Sequence, residues 1–298
     1  MALLDPSGGL ALPTTMWITF RVIAELGPLT EGELLALTSP LAIRAATNDD
    51  DPRPTPAARQ AFRALQDHGM VQTDEGGRVT VAAMTLKPAD YAAFCAALRS
   101  VLLSRSTNEP PLDESGANDL LRGLAWLLTT DPMTESWNEP QAAQERVPAG
   151  QTLVFYNPTR WNAFRFWAEA LGFAEKPVTG TADGGAALVA NPTRALRDFV
   201  TMTYAPGEDL PVSRLLDDFR AAVQVVPGGS VSAALGYAGD PREVDRATTY
   251  ALESGRARGW LTLERRADAA DTVLLAGLDK PGSVRAVSDV LIGEVVDV

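Results

Sequence analysis

The sequence predicts an α+β chain, mainly helical, organised as tandem winged-helix-like modules with short β-hairpins. Two observations carry this expectation. Three segments repeat one order of elements: a helix, a glycine, then two short β-like runs about a polar turn. The 298 residues are also 46% hydrophobic, enough to fill a proper core and to exclude a disordered chain.

The first unit is TPAARQAFRALQDHGMVQTDEGGRVTV, residues 55–81. Thr55 is placed to cap a helix, Pro56 suits its first turn, and Gly69 suits the left-handed position after it. Met70–Thr73 and Arg78–Val81 then read as a hairpin about Asp74, Glu75, Gly76 and Gly77. Upstream, Thr14–Leu26 and Thr30–Thr38 read as helices, the second opened by a Thr30/Glu33 capping box. Helix, helix, helix, hairpin is the winged-helix order.

The second unit opens with a helix from Asn118 and continues with FYNPTRWNAFRFWAEALGF, residues 155–173. Asn157 or Thr159 caps this second helix, Pro158 sets its first turn and Gly172 closes it. Phe173–Val178 and Ala186–Ala190 are expected to form a hairpin across TGTADGG. In the third unit a helix from Pro211 to about Gln224 and a short one after Gly229 precede PREVDRATTYALESGRARG. There WLTLERR and TVLLAG are expected to pair across ADAAD. The implied division is 1–84, a winged-helix domain; 85–150, a helical connector with the first helix of the second module; 151–205, the second module; and 206–298, the C-terminal module. The acidic, Pro-rich stretches SRSTNEPPLDESG and TYAPGEDLP read as connectors between modules.

Charge divides unevenly among these parts. The formal net charge is −12, yet each helix-plus-hairpin unit is neutral. Arg59, Arg63 and Arg78 balance Asp67, Asp74 and Glu75 in the first, and Arg160, Arg165 and Lys176 balance Glu169, Glu175 and Asp183 in the second. The excess acid lies elsewhere, notably in 105–150, which opposes non-specific attraction to DNA. A local contact remains open. A winged helix places its third helix in the major groove, and here that helix would present Arg59, Gln60 and Arg63, with Arg53 before it and Arg78 in the wing. Asp49, Asp50 and Asp51 oppose them.

On a 3.6-residue period Trp161, Phe164, Ala168 and Leu171 face inward, while Asn162, Arg165, Phe166 and Glu169 face outward, Arg165 and Glu169 at ion-pair spacing. Arg165, Phe166 and Trp167 are therefore the candidate partner-binding residues, with core packing the competing reading for Trp167. The tetrapeptide NPTR occurs at Asn157–Arg160 and again at Asn191–Arg194. It signals helix initiation, and the same geometry would suit a phosphate beside Arg160 or Arg194.

Catalytic signatures are sparse. His68 is the only histidine, expected to serve the end of its helix, and no G-x-S-x-G elbow or G-x-x-x-x-G-K-[ST] loop occurs. Lysine occurs only at Lys87, Lys176 and Lys280. Cys95 is the sole cysteine, which excludes an internal disulfide and a cysteine-ligated metal. The N-terminal stretch, with no positive charge before Arg21 and an early Pro13, is not expected to be a signal peptide, and no apolar run of ~20 residues occurs. These points predict a cytoplasmic, non-enzymatic protein with no cofactor, no metal and no membrane partner.

The stretches LPTTMWITFRVIAELGPLTEGELLAL, QAFRALQDHGMVQTDEGGRVTV and, above all, FYNPTRWNAFRFWAEALGFA resemble the DpdG family, over most of the chain in length and order. That family is encoded in bacterial clusters that place 7-deazaguanine derivatives in DNA and restrict unmodified DNA. The resemblance implies a component of the restriction arm of an antiviral defence system, acting beside helicase-like or nuclease-like subunits and transferring no catalytic motif. It leaves three readings: a DNA-recognition or adapter subunit contacting double-stranded DNA, a protein-interaction scaffold without DNA contact, and a transcriptional regulator.

Overall fold

The protein's structure, a computed structural model, describes residues 2–5, 11–40, 55–82, 86–104, 116–138, 155, 157–177, 187–237, 239–240, 242–269, 271–280 and 282–295. It is a mixed α and β fold, mainly helical, with small sheets. In the first unit α1 (Pro13–Leu26) is followed by β1 (Leu29–Thr30), α2 (Glu31–Thr38), α3 (Pro56–Asp67) and the strands β2 (Val71–Thr73) and β3 (Arg78–Val81). The capping box forms as expected: the Glu33 amide donates to Thr30 Oγ1 at 3.2 Å, and the Thr30 amide donates to Glu33 Oε2 at 2.8 Å. β2 and β3 pair antiparallel, and β1 joins the far edge of β3, giving the order β1-β3-β2. Asp74 Oδ1 accepts from the Gly76 and Arg78 amides at 2.9 and 2.8 Å, which fixes the turn. Thr55 sits at the N-cap of α3 but does not cap it with its side chain. Its amide donates instead to Ser39 Oγ at 2.8 Å, tying the end of α2 to the start of α3.

α4 (Tyr91–Ser104) leads to the second unit, made of α5 (Asn118–Leu127), α6 (Pro158–Ala170), β4 (Ala174–Glu175), β5 (Val189–Ala190) and α7 (Thr193–Thr203). Asn157 caps α6, its Oδ1 accepting from the Arg160 amide at 2.8 Å. The expected hairpin is present as Ala174↔Ala190 and Glu175↔Val189, and its turn lies outside the described residues. Trp161, Phe164, Ala168 and Leu171 are buried, so the aromatic-rich segment is core. Phe155 stands 5.1 Å from Trp161 and 4.7 Å from Phe164, ring centre to ring centre, and Trp126 of α5 packs edge-on at 5.6 Å from Phe155. Gly123 makes this approach possible, because a Cβ there would lie 2.8 Å from Phe164 Cε2 and 3.0 Å from Phe155 Cζ.

The third unit departs from expectation. β6 (Asp209–Pro211) is followed by α8 (Val212–Ala222), α9 (Ser230–Ala234), β7 (Glu243–Val244), α10 (Arg246–Ala257), β8 (Leu261–Glu264), β9 (Val273–Ala276), β10 (Val284–Val287) and β11 (Asp289–Ile292). β8 and β9 were expected to form a hairpin, and they do not pair. β8 lies against β11 in the sheet β6-β11-β8, while β9 lies between β10 and β7, parallel to the latter. Alternation sets which face of a strand is buried but not which neighbour it takes. The two C-terminal strands bring Val287, Val290 and Ile292 into the core, and both earlier strands pair with them. TYAPGEDLP, expected as a connector, contributes β6 to that sheet. SRSTNEPPLDESG lies mostly outside the described residues.

All three units end their main helix on a left-handed glycine, with φ of +69° at Gly69, +79° at Gly172 and +81° at Gly259. One hydrophobic cluster runs from Leu3 through Trp126 and Trp161 to Ile292. Arg246 of α10 reaches Asp131 at 2.7 Å, a polar tie between the third unit and the segment after α5.

Two glycines give opposed predictions. Gly123→Ala overpacks the α5–α6 contact and should lower unfolding free energy by about 1–3 kcal/mol. Gly32→Ala, inside α2 with open space at its Cβ, should raise it by about 0.5–1 kcal/mol. Urea unfolding of both variants checks the pair.

Candidate nucleic-acid interface

α3 exposes a single stripe, Arg59, Arg63 and Asp67, spaced i, i+4, i+8. Its remaining circumference is taken up by packing, and Ala58, Ala61, Phe62, Ala64 and Leu65 are buried. Gln60, expected on the presenting face, is 6% exposed. It sits about 100° round the helix from Arg59, which turns it toward the packed side. Arg53 and the Asp49–Asp51 cluster lie outside the described residues. Arg78 is exposed in the hairpin, with Nη1 3.4 Å from Glu33 Oε2. The Thr30 backbone and side chain hold the Glu33 carboxyl below its ordinary range, and Arg78 adds to that. Among the described residues, the Arg59 and Arg63 guanidinium groups make no ion pair or hydrogen bond, so two cations of the expected set are uncompensated.

On α6 the expected outward face is partly confirmed. Phe166 is 56% exposed, whereas Trp167 is fully buried and is no surface contact. The reason is spacing: Trp167 falls three residues after Phe164 and four before Leu171, inside the apolar stripe. Arg165 does not meet Glu169. Its Nη1 lies 3.4 Å from Asn162 Oδ1, and Glu169 faces Lys176 at 4.0 Å.

The two NPTR motifs are not anion sites. Arg160 is fully buried. It also lies close enough to the buried Asp119 to stabilise that carboxylate, which accepts from the Leu4 and Leu120 amides at 2.8 Å each. Arg194 turns back on the preceding helix, and its Nη2 donates to the Glu169 carbonyl and, at 3.1 Å, to the Ala170 carbonyl. A second arginine, which sequence reasoning missed, joins it there. Arg99 of α4, 6% exposed, donates from Nη1 to the Leu171 carbonyl at 2.8 Å and from Nη2 to Asp198 at 2.9 Å. Burial lowers the pKa of this guanidinium and Asp198 opposes the shift. Nothing in the local sequence distinguishes Arg99 from a solubilising arginine.

Beside this cluster, α4 and α7 border an open groove of about 540 Å³, lined by Leu86, Ala93, Ala97, Val101, Arg197 and Met202. The small residues Ala93, Ala96, Ala97 and Ser100 recur at helical spacing in the sequence and were the readable signal for it. His68 is buried at the C-terminal end of α3, and Cys95 is buried in α4, where burial pushes its thiol above the ordinary pKa. No described helix is long and apolar enough to cross a membrane.

A model of the DpdG-like family matches residues 1–269. No curated protein and no solved structure matches the chain.

The arginines thus sort into buried and free, and stability should separate them. Arg99→Ala leaves the Leu171 carbonyl without its donor and Asp198 with Arg197 alone, at 3.3 Å, and is expected to cost about 1–3 kcal/mol. Arg59→Ala and Arg63→Ala should each change stability by less than about 0.5 kcal/mol. Denaturant midpoints of the three variants check this.

Proposed function

The chain belongs to the DpdG-like family, which associates it with the Dpd systems, and from that premise we propose that it is a non-catalytic recognition subunit of such a system's restriction arm. Its first unit acts as a winged helix on duplex DNA, with α3 in the major groove and the β2–β3 hairpin as the wing. The observation that carries the reading is that Arg59 and Arg63 share the one solvent-facing stripe of α3 with no counter-ion among the described residues. Phosphate contacts by such cations gain free energy from released counterions. Arg78 contributes less, since Glu33 already shares its charge. The one histidine and the one cysteine are both buried, which favours recognition over catalysis.

An adapter role rests on a second observation. Phe166 is a large aromatic left more than half exposed beside Arg165, and such pairs are enriched at protein interfaces. The partner would be a helicase-like or nuclease-like subunit, and this role is compatible with DNA contact by α3.

Duplex binding measured across a salt series tests the first reading. The logarithm of the binding constant should fall linearly with the logarithm of salt, and the Arg59/Arg63 double alanine should reduce that slope by about 2. Equal, negligible binding by wild type and variant would exclude DNA contact by α3. For the adapter role, Phe166→Ala should abolish co-purification of partner subunits without shifting the melting temperature, and unchanged recovery would remove this face from the interface.

A further inference from the structure

We infer that the outer face of α1 is an interface between two copies of this chain, packed antiparallel. The inner face of the helix, with Met16, Phe20 and Ile23, is buried in the core. On the outside Ile18, Val22 and Leu26 form one row at i, i+4 and i+8. Ile18 is 45% exposed and Leu26 57%, with Val22 half-buried between them. Single exposed apolar side chains are ordinary, but three in register along one helix make a seam for another helix. Leu37 on the neighbouring α2 adds a fourth exposed apolar group in the same unit.

Charge selects the occupant. Arg21 and Glu25 run beside the apolar row as an exposed ion pair at 2.8 Å. The row is symmetric about Val22, and the flanking charges have opposite sign toward its two ends. Turned end for end about a two-fold axis near Val22, a second copy sets Ile18 against Leu26 of the partner subunit and Arg21 against Glu25 of the partner subunit. An isologous two-fold contact needs this kind of self-complementarity. With 14 residues, α1 is about 21 Å long at 1.5 Å per residue. One helix pair of that length buries less than a standard interface, so the dimer is weak and concentration-dependent.

Sedimentation equilibrium of the full chain at physiological salt and without DNA tests the interface separately from duplex binding. The wild type should rise from one-chain to two-chain mass with concentration. R21E and E25R each bring like charges together and should stay at one-chain mass. Mixed in equal amounts they should recover the two-chain mass, because one chain then carries two acids and the other two arginines. Far-UV circular dichroism should be the same for both variants and wild type, since all the substituted side chains are exposed. A wild type that remains a monomer at every concentration overturns the inference. So does a mixture that fails to associate, or an R21E variant that dimerises as well as wild type.

Discussion

The structure turns on how the C-terminal end of α6 is satisfied. The last carbonyls of a helix have no partner within it and carry its negative partial charge. Here the Glu169, Ala170 and Leu171 carbonyls end among packed elements, and two guanidinium groups meet them, Arg194 from α7 and Arg99 from α4. Asp198 fixes Arg99 from the other side at 2.9 Å. A helix of the second unit and the helix that leads into it are thereby locked onto one helix end. Gly172 belongs to the same arrangement. Its left-handed backbone ends α6, and a Cβ there would stand 2.9 Å from Arg194 Nε. An apolar core alone leaves helices free to slide, whereas charged donors on specific carbonyls fix their register.

Those interactions also show which parts of the fold could be read in advance. Elements with their own local chemistry were legible: the Thr30/Glu33 box, the Asn157 cap, the Asp74 turn, and the glycines after α3, α6 and α10. Each depends on residues within a few positions of one another. Pairings set over long separations were not legible. β8 and β9 have the right composition and an apt turn between them, yet β8 pairs with the distant β11, whose Val290 and Ile292 are buried, while β9 takes β7 on one side and the next strand, β10, on the other. The same division holds at the candidate site. Arg59 and Arg63 follow from helical spacing alone. Gln60 required knowing how much of α3 its neighbours enclose, and Trp167 required preferring the i+3 position of the apolar stripe over its next-door neighbour Phe166. Arg99 and Arg194 carry no local sign of their role, because the carbonyls they satisfy lie 72 and 24 residues away.

Arginine is the residue on which reading this chain depends, since it serves three purposes in one acidic protein. Arg99, Arg122 and Arg160 are buried. Arg21, Arg256 and Arg266 sit in exposed ion pairs, which contribute little to stability. Arg59 and Arg63, with Arg242, Arg258 and Arg265 in the third unit, are exposed, and their guanidinium groups carry no partner among the described residues. Composition cannot separate these groups, and neither can net charge.

On the proposed reading, this sorting bears on how DNA would be met. A formal charge of −12 repels phosphate at long range, so electrostatic steering works against approach at low ionic strength. At physiological salt the screening length is about 8 Å. The distributed acids are then largely hidden from the duplex, while an arginine in direct contact with a phosphate still releases its counterion. Recognition would rest on close contact and not on attraction from a distance, with slow association. An acidic recognition subunit of this kind gains most when other subunits bring the DNA to it, which joins the two faces, Arg59/Arg63 on α3 and Phe166 on α6, in one mode of action.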